Sequence, residues 1–236
     1  MDTLFSLLRF GPSGWGDELA LGALLTIQLA VAVLPLGIIL GFIVALGKDS
    51  KYRSLRITGN VFTTIFRGLP ELLTLFIVYF GGQILFQKFV SLFSDTYVEL
   101  SAFVAGVLAL GMVFAAYASE VFLGALRAVD IGQNETSRAL GMSEYKTMRF
   151  IILPQLIRYS LPGLGNLWLA LLKDTSLVSV IALTDLLRQT RIVVGATKEP
   201  FFFYLIACLL YLVMAVVSSV GQTALENWSN RGHKEA

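Results

Sequence analysis

The sequence predicts an all-α membrane protein of about five transmembrane helices, and three observations lead there. Of its 236 residues, 56% are hydrophobic and 14% charged, where a soluble domain carries about 25% charge. Residues 19–47, 100–119 and 200–225 contain no charge at all, and each run exceeds the ~18 apolar residues that mark a spanning helix. The runs are continuous and do not alternate with period two, which excludes a β-barrel.

The first segment, 19–47, contains Pro35, which is expected to kink it. Polar residues 48–56 follow. The second segment, 57–87, is interrupted by Arg67-Gly68-Leu69-Pro70-Glu71. As one helix it would reach about 46 Å, longer than a ~30 Å hydrocarbon core, and Pro70 disfavours helical geometry at Leu69. The third segment is 100–126. An amphipathic loop covers 130–159, the fourth and fifth segments are 161–183 and 200–228, and a polar tail closes the chain. The whole, 1–236, reads as a single membrane domain with its core over 19–228.

Lys and Arg counts give an orientation. With the N-terminus outside, the inner side holds Lys48, Lys51, Arg53, Arg56, Arg127, Arg138, Lys146, Arg149, Arg158, Arg231 and Lys234. The outer side holds Arg9, Lys88, Arg188, Arg191 and Lys198, and Arg67 and Lys173 remain at membrane depth. The excess of about two to one predicts the N-terminus out and the C-terminus in.

Several functions are excluded or disfavoured. Cys208 is the only cysteine and lies in an apolar run, so a disulfide framework or thiolate metal site within one chain is ruled out. The lone His233 sits in the polar tail, and no metal site is expected. Net charge +2 without clustered Lys and Arg argues against nucleic acid. Asp2 and the distant Arg9 do not form the basic start of a cleaved signal peptide.

The loop carries the most specific pattern. Glu135-Thr136-Ser137-Arg138-Ala139-Leu140-Gly141 is followed, nine residues on, by Ile151-Ile152-Leu153-Pro154. Locally this suggests two short helices. Gly141 can take positive φ at a helix end, Ser143 suits an N-cap with Glu144 in the next turn, and Pro154 marks a helix end or kink. Small residues Thr136, Ser137 and Ala139 would admit another surface. This spacing resembles the permease signature of ABC importers, E-A-A, three residues, Gly, nine residues, I-x-L-P. It matches at Glu135, Gly141, Ile151, Leu153 and Pro154, and departs at Thr136 and Ser137, where alanines are usual. Gly22-Ala-Leu-Leu-Thr26, Arg67–Glu71, Leu161-Pro-Gly-Leu-Gly-Asn166 and Leu172–Ser179 are similar to segments of polar amino acid permeases. The likeness is greatest to the Q-type subunit of histidine/lysine/arginine and opine importers.

The resemblance implies a type I ABC importer (MetI-like) architecture in the bacterial inner membrane. It implies that the loop docks on an ABC ATPase present in two copies, that an M-type permease completes the pair, and that a periplasmic solute-binding protein delivers the solute. It also places ATP and Mg on the partner ATPase, with no cofactor bound by this chain. Independently, the chain lacks a Gly-x4-Gly-Lys-[Ser/Thr] phosphate loop, so ATP hydrolysis must lie elsewhere.

Ionisable residues at membrane depth are the candidates for solute contact. Lys173 and Asp174 together cost about 5–7 kcal/mol on insertion scales, which the Leu, Ile and Val residues of 161–183 roughly cancel. That helix therefore belongs in the bundle interior or beside a cavity. Each of the pair finds a partner on a neighbouring helix, or one of them lines the solute path. Thr175, Ser176 and Ser179 could line the same cavity or bond their own backbone. Non-helical backbone at depth is tolerated where it lines a cavity, so Glu71, just after the break, could receive a guanidinium or ammonium group. Its alternatives are a pair with Arg67, an inter-subunit pair, or an interfacial position. Glu120, after Ala116-Tyr117, is expected near the inner interface beside a cytoplasmic Arg. Arg67 and Lys173 against Glu71, Glu120 and Asp174 leave a balance of −1, leaning toward a cationic solute. The competing functions are an ion-coupled secondary transporter or channel, which leaves the loop unexplained, and a membrane enzyme, for which a catalytic constellation is missing.

Overall fold

The computed structural model describes residues 4, 6–12, 14–93, 96–181 and 183–229. Asp2, Arg231, His233 and Lys234 lie outside the described residues. Those described form helices and connecting loops without strands. In chain order they include α1 (Gly16–Asp49), α2 (Arg53–Gly68), α3 (Glu71–Val90), α4 (Ala102–Ala128), α5 (Ile131–Ala139), α6 (Glu144–Ile181), α7 (Leu186–Thr197) and α8 (Pro200–Ser229). Five of them, α1, α3, α4, α6 and α8, are long and apolar enough to cross a membrane.

α4 is the central helix. In its most apolar stretch 61% of residues are buried, against 11% in α3 and α8, which turn most of their surface outward. Small residues make this possible, because helix association in lipid depends on close packing. Ala105, Ala109, Ala115, Ala116 and Ala118 are all buried. A Cβ on Gly41 of α1 would lie 2.9 Å from Ala118 Cβ and 3.0 Å from the Ala115 carbonyl oxygen, so only glycine lets the two backbones meet there.

The segment expected at 57–87 is divided by the break that Arg67–Glu71 predicted. Leu69 and Pro70 are extended, with ψ of 142° and 133°. The expectation that 57–68 lies within the second membrane segment is corrected. Those residues belong to α2, which carries Arg53, Arg56, Asn60 and Arg67 and with 16 residues is too short to count as a span; the span is Glu71–Val90. Pro35 sits inside an unbroken α1.

A second correction concerns the loop. Pro154 ends no helix. α6 begins at Glu144 and runs through Pro154 and Pro162 to Asp174, interrupted by a π turn at Met148–Ile152, then tightens to 3-10 geometry over Thr175–Ile181. Pro154 lacks an N–H, and it follows the stretch where α hydrogen bonding is already rerouted. The helix that carries the fourth span therefore starts well before 161.

The sequence reading did not single out α7. Its N-cap is Asp185, whose carboxylate accepts from the backbone N–H of Leu187 (3.3 Å) and Arg188 (3.1 Å). The Thr26 hydroxyl donates to Gly22 O and accepts from Leu186 N at 3.2 Å, tying α7 to α1. Asp185 is fully buried between the fourth and fifth spans. Burial raises its pKa to about 6 against the lowering effect of the capped N–H groups.

Candidate functional site

Two regions collect the predicted residues: the loop around Gly141 and a cavity inside the helix bundle.

α5 opens with Asp130, whose side chain accepts from Gly132 N at 2.7 Å, and closes in the αL turn expected of Gly141, φ 75°. The Met142 N–H donates to Ser137 O at 3.0 Å, the six-to-one bond of such a helix end. Ser143 caps α6 by accepting from Lys146 N at 3.4 Å, and Glu144 pairs with Arg138 at 3.1 Å. Glu135 and Thr136 are exposed. Ser137 is not available to another surface: it is buried, and its hydroxyl donates to Gln133 O at 2.7 Å. Ile131, Leu140, Tyr145 and Phe150 are all exposed beside the turn. Ile151 and Leu153 are half-buried and Pro154 is exposed. The loop thus presents a hydrogen-bonded turn with an apolar rim, a surface suited to docking.

The cavity has a volume of about 250 Å³ and is walled by α3, α4 and α6. Leu110, Val113, Phe114, Tyr117, Leu167, Ala170 and Leu171 supply its apolar and aromatic surface, and its acidic groups are Glu71 and Asp174. The two carboxyl groups come close enough to interact directly. Glu71 stands in the first turn after the Leu69–Pro70 break, and Asp174 is the last α-helical residue before the 3-10 segment. Both are placed where the regular backbone changes. Among the described residues, no Lys or Arg lines the cavity. Two carboxylates in an apolar wall repel each other and are costly to desolvate, and a cation between them relieves both effects.

The other depth residues separate from this pair. Lys173 is exposed on the outside of α6. The Thr175 hydroxyl is buried and donates to Leu172 O at 2.7 Å, within its own helix, and Ser176 is half-buried outside the lining. Arg67 pairs with Glu120 at 3.0 Å, not with Glu71, and its guanidinium lies 5.3 Å from the centroid of the Tyr117 ring. Glu120 also accepts from Lys48 at 2.6 Å. Sequence reasoning missed Tyr117 as a cavity residue. The available signal was its place one turn before Glu120 on a helix otherwise rich in alanine.

Comparison with known proteins places this geometry. Residues 10–230 match the family model described as "Binding-protein-dependent transport system inner membrane component". The chain is 44% identical over 229 residues to the nopaline transport system permease protein NocQ of Agrobacterium fabrum, covering 96% of this chain and 97% of that one. It is 40% identical over 213 residues to the arginine ABC transporter permease protein ArtQ of Escherichia coli, covering 85% and 90%. Among solved structures, an amino acid ABC transporter crystallised with histidines aligns at a TM-score of 0.78 and 32% identity, covering 90% of this chain and 94% of that one. The inward-facing MetNI methionine ABC transporter, at 0.64 and 15% over 97% and 98%, shares the fold. The helical spans, the turn at Gly141 and these matches agree: the chain belongs to the family of binding-protein-dependent transport system inner membrane components, as a permease whose ATPase and solute-binding protein are separate partners.

Proposed function

We propose that this permease imports polar amino acids or opines that carry a cationic group, and that Glu71 and Asp174 receive that group. The observation that carries this reading is the convergence of two carboxyl groups, from different helix breaks, in one apolar cavity without a lining Lys or Arg among the described residues. Relatives named for nopaline and arginine support it, since both compounds bear a guanidinium. Arg67 acts beside the cavity, behind Tyr117. Lys173, Thr175 and Ser176 have no direct part.

Uptake runs by alternating access. An M-type permease completes the pathway, and a periplasmic solute-binding protein loads it. Two copies of an ABC ATPase hold ATP and Mg and dock on Glu135, Thr136 and the Gly141 turn from the cytoplasm. Ile151, Leu153 and Pro154 continue the same surface into α6, with Ser137 bracing α5 from within. Because α6 is continuous from Glu144 to Asp174 apart from one π turn, displacement of the loop reaches the cavity along a single helix. N-out, C-in topology and a single membrane domain over 1–236 complete the reading.

The test is uptake of labelled arginine and of neutral glutamine by proteoliposomes holding the assembled permease pair, its ATPase and its binding protein. Glu71→Gln should weaken arginine uptake about ten- to a hundredfold, the value of one charge-assisted hydrogen bond, with assembly intact. Unchanged uptake of every cationic solute tried would remove Glu71 from the site.

A further inference from the structure

Lys48, Arg67 and Glu120 stand outside both the cavity and the docking turn, yet they bring two cations onto one carboxylate within the bundle. One oxygen, Glu120 Oε1, accepts from Lys48 Nζ at 2.6 Å and forms an ion pair with Arg67 Nη1 at 3.0 Å. Lys48 is buried, its side chain only 5% exposed, and also donates to Thr63 Oγ1 at 3.3 Å. These contacts hold α2 in place. α2 has two buried residues, Gly59 and Thr63, and both meet Lys48: a Cβ on Gly59 would lie 2.6 Å from Lys48 Cγ. At its far end α2 is fixed by Arg67, which pairs with Glu120 and lies over Tyr117. Without that carboxylate, two cations would face each other at the point where α2 joins α1 and α4.

The position of this cluster gives it a role in recognition. Tyr117, beneath the Arg67 guanidinium, is a wall of the cavity. Arg67 is four residues before Glu71, and between them the chain passes through extended Leu69 and Pro70. An extended pair lacks the rigidity of a continuing helix, so where Glu71 stands depends on how the end of α2 is anchored.

We propose that Glu120 is a positioning residue for cation recognition. Through Lys48 and Arg67 it fixes α2 against α1 and α4, and thereby holds Glu71 opposite Asp174. The inference rests on reading Glu71 and Asp174 as the cation site.

The test uses the assembled transporter with Cys208→Ser and a nitroxide on Gly68→Cys, where a Cβ meets nothing within 4 Å. Glu120→Gln and, separately, Arg67→Ala should mobilise the nitroxide. Each should also raise the half-saturating arginine concentration about tenfold or more, with the maximal rate within about twofold of the parent. Arg67→Lys should recover part of that affinity. An unchanged nitroxide spectrum overturns the proposal, and so does a mobilised spectrum with unchanged half-saturation. If Glu120→Gln fails to assemble, Arg67→Ala decides by the same readings, since Arg67 is 44% exposed. If the parent takes up no arginine, the cation reading fails on its own. The spectrum then decides the anchoring: mobilisation upholds it and an unchanged line shape refutes it.

Discussion

Replacing Asp174 with asparagine separates recognition from stability, because the two should move in opposite directions. Asp174 faces Glu71 in a cavity of about 250 Å³ whose other walls are apolar or aromatic. With no solute bound, the two carboxyl groups are each other's main electrostatic problem. The amide of Asp174→Asn removes the repulsion and keeps the shape. A gain of about 1 kcal/mol would raise Tm by about 2–4 °C for a chain of this size. With a cationic solute bound, the same change deletes one charge-assisted hydrogen bond of about 1.5–3 kcal/mol, equal to about a ten- to hundredfold loss of affinity. Thermal unfolding of the purified complex and arginine uptake in proteoliposomes measure the two sides. In the Asp174→Asn, Glu71→Gln double variant the loss should fall short of the sum of the single losses, since in the proposed site both groups hold one cation. A lower Tm together with equal damage to arginine and glutamine uptake would refute the reasoning and make Asp174 a structural residue.

The seam between α1 and α4 predicts that Gly41→Ala, which brings a Cβ to 2.9 Å from Ala118 Cβ, costs about 1–3 kcal/mol, whereas Gly124→Ala, with nothing within 4 Å, leaves Tm near the parent value. In the loop, Gly141→Ala forces a Cβ onto φ 75° at a cost of about 1 kcal/mol, and ATPase co-purification should fall. Glu144→Gln, breaking a pair exposed by 57% and 81%, should shift Tm by less than an equivalent of about 1 kcal/mol. Burial raises the Asp185 pKa from 3.8 to about 6, so the folded chain binds this proton more tightly than the unfolded chain. Stability should therefore fall by about 3 kcal/mol as pH rises from about 4 to 6, then level off. Asp185→Asn, which can still cap α7, should flatten that pH dependence in thermal unfolding.

What the sequence made legible was whatever depends on local chemistry or on bulk hydrophobicity. Charge-free runs located three of the five spans, Pro70 located the break, and Gly141 with Ser143 located the turn between α5 and α6. Glu71 and Asp174 stood out because carboxyl groups at depth are costly wherever they point. Helix continuity across prolines was not legible: Pro154 read as a helix end or kink and the fourth segment was begun at 161, yet α6 runs through both Pro154 and Pro162. Nor was the direction of side chains. Lys173 and Asp174 are neighbours in sequence, and only the packing of α6 against α4 sends one outward and the other into the cavity. Ser137 looked like docking surface from its small size and its place in the signature, but its face of α5 turns inward. Lys48 was counted as a loop charge, although burial makes it the partner of Glu120 from another helix.

The π turn at Met148–Ile152 has a consequence for how this chain can vary in length. A π turn holds one more residue than an α turn. Deleting a single residue there would restore regular winding and leave what precedes it facing nearly the same way, whereas deleting one from a regular α turn of α6 would rotate everything before it by about 100° around the helix axis. In the second case the turn at Gly141 would present a different face, although every one of its own residues was unchanged. The π turn at Met148–Ile152 is therefore a place where this helix can lose a residue without re-aiming the turn.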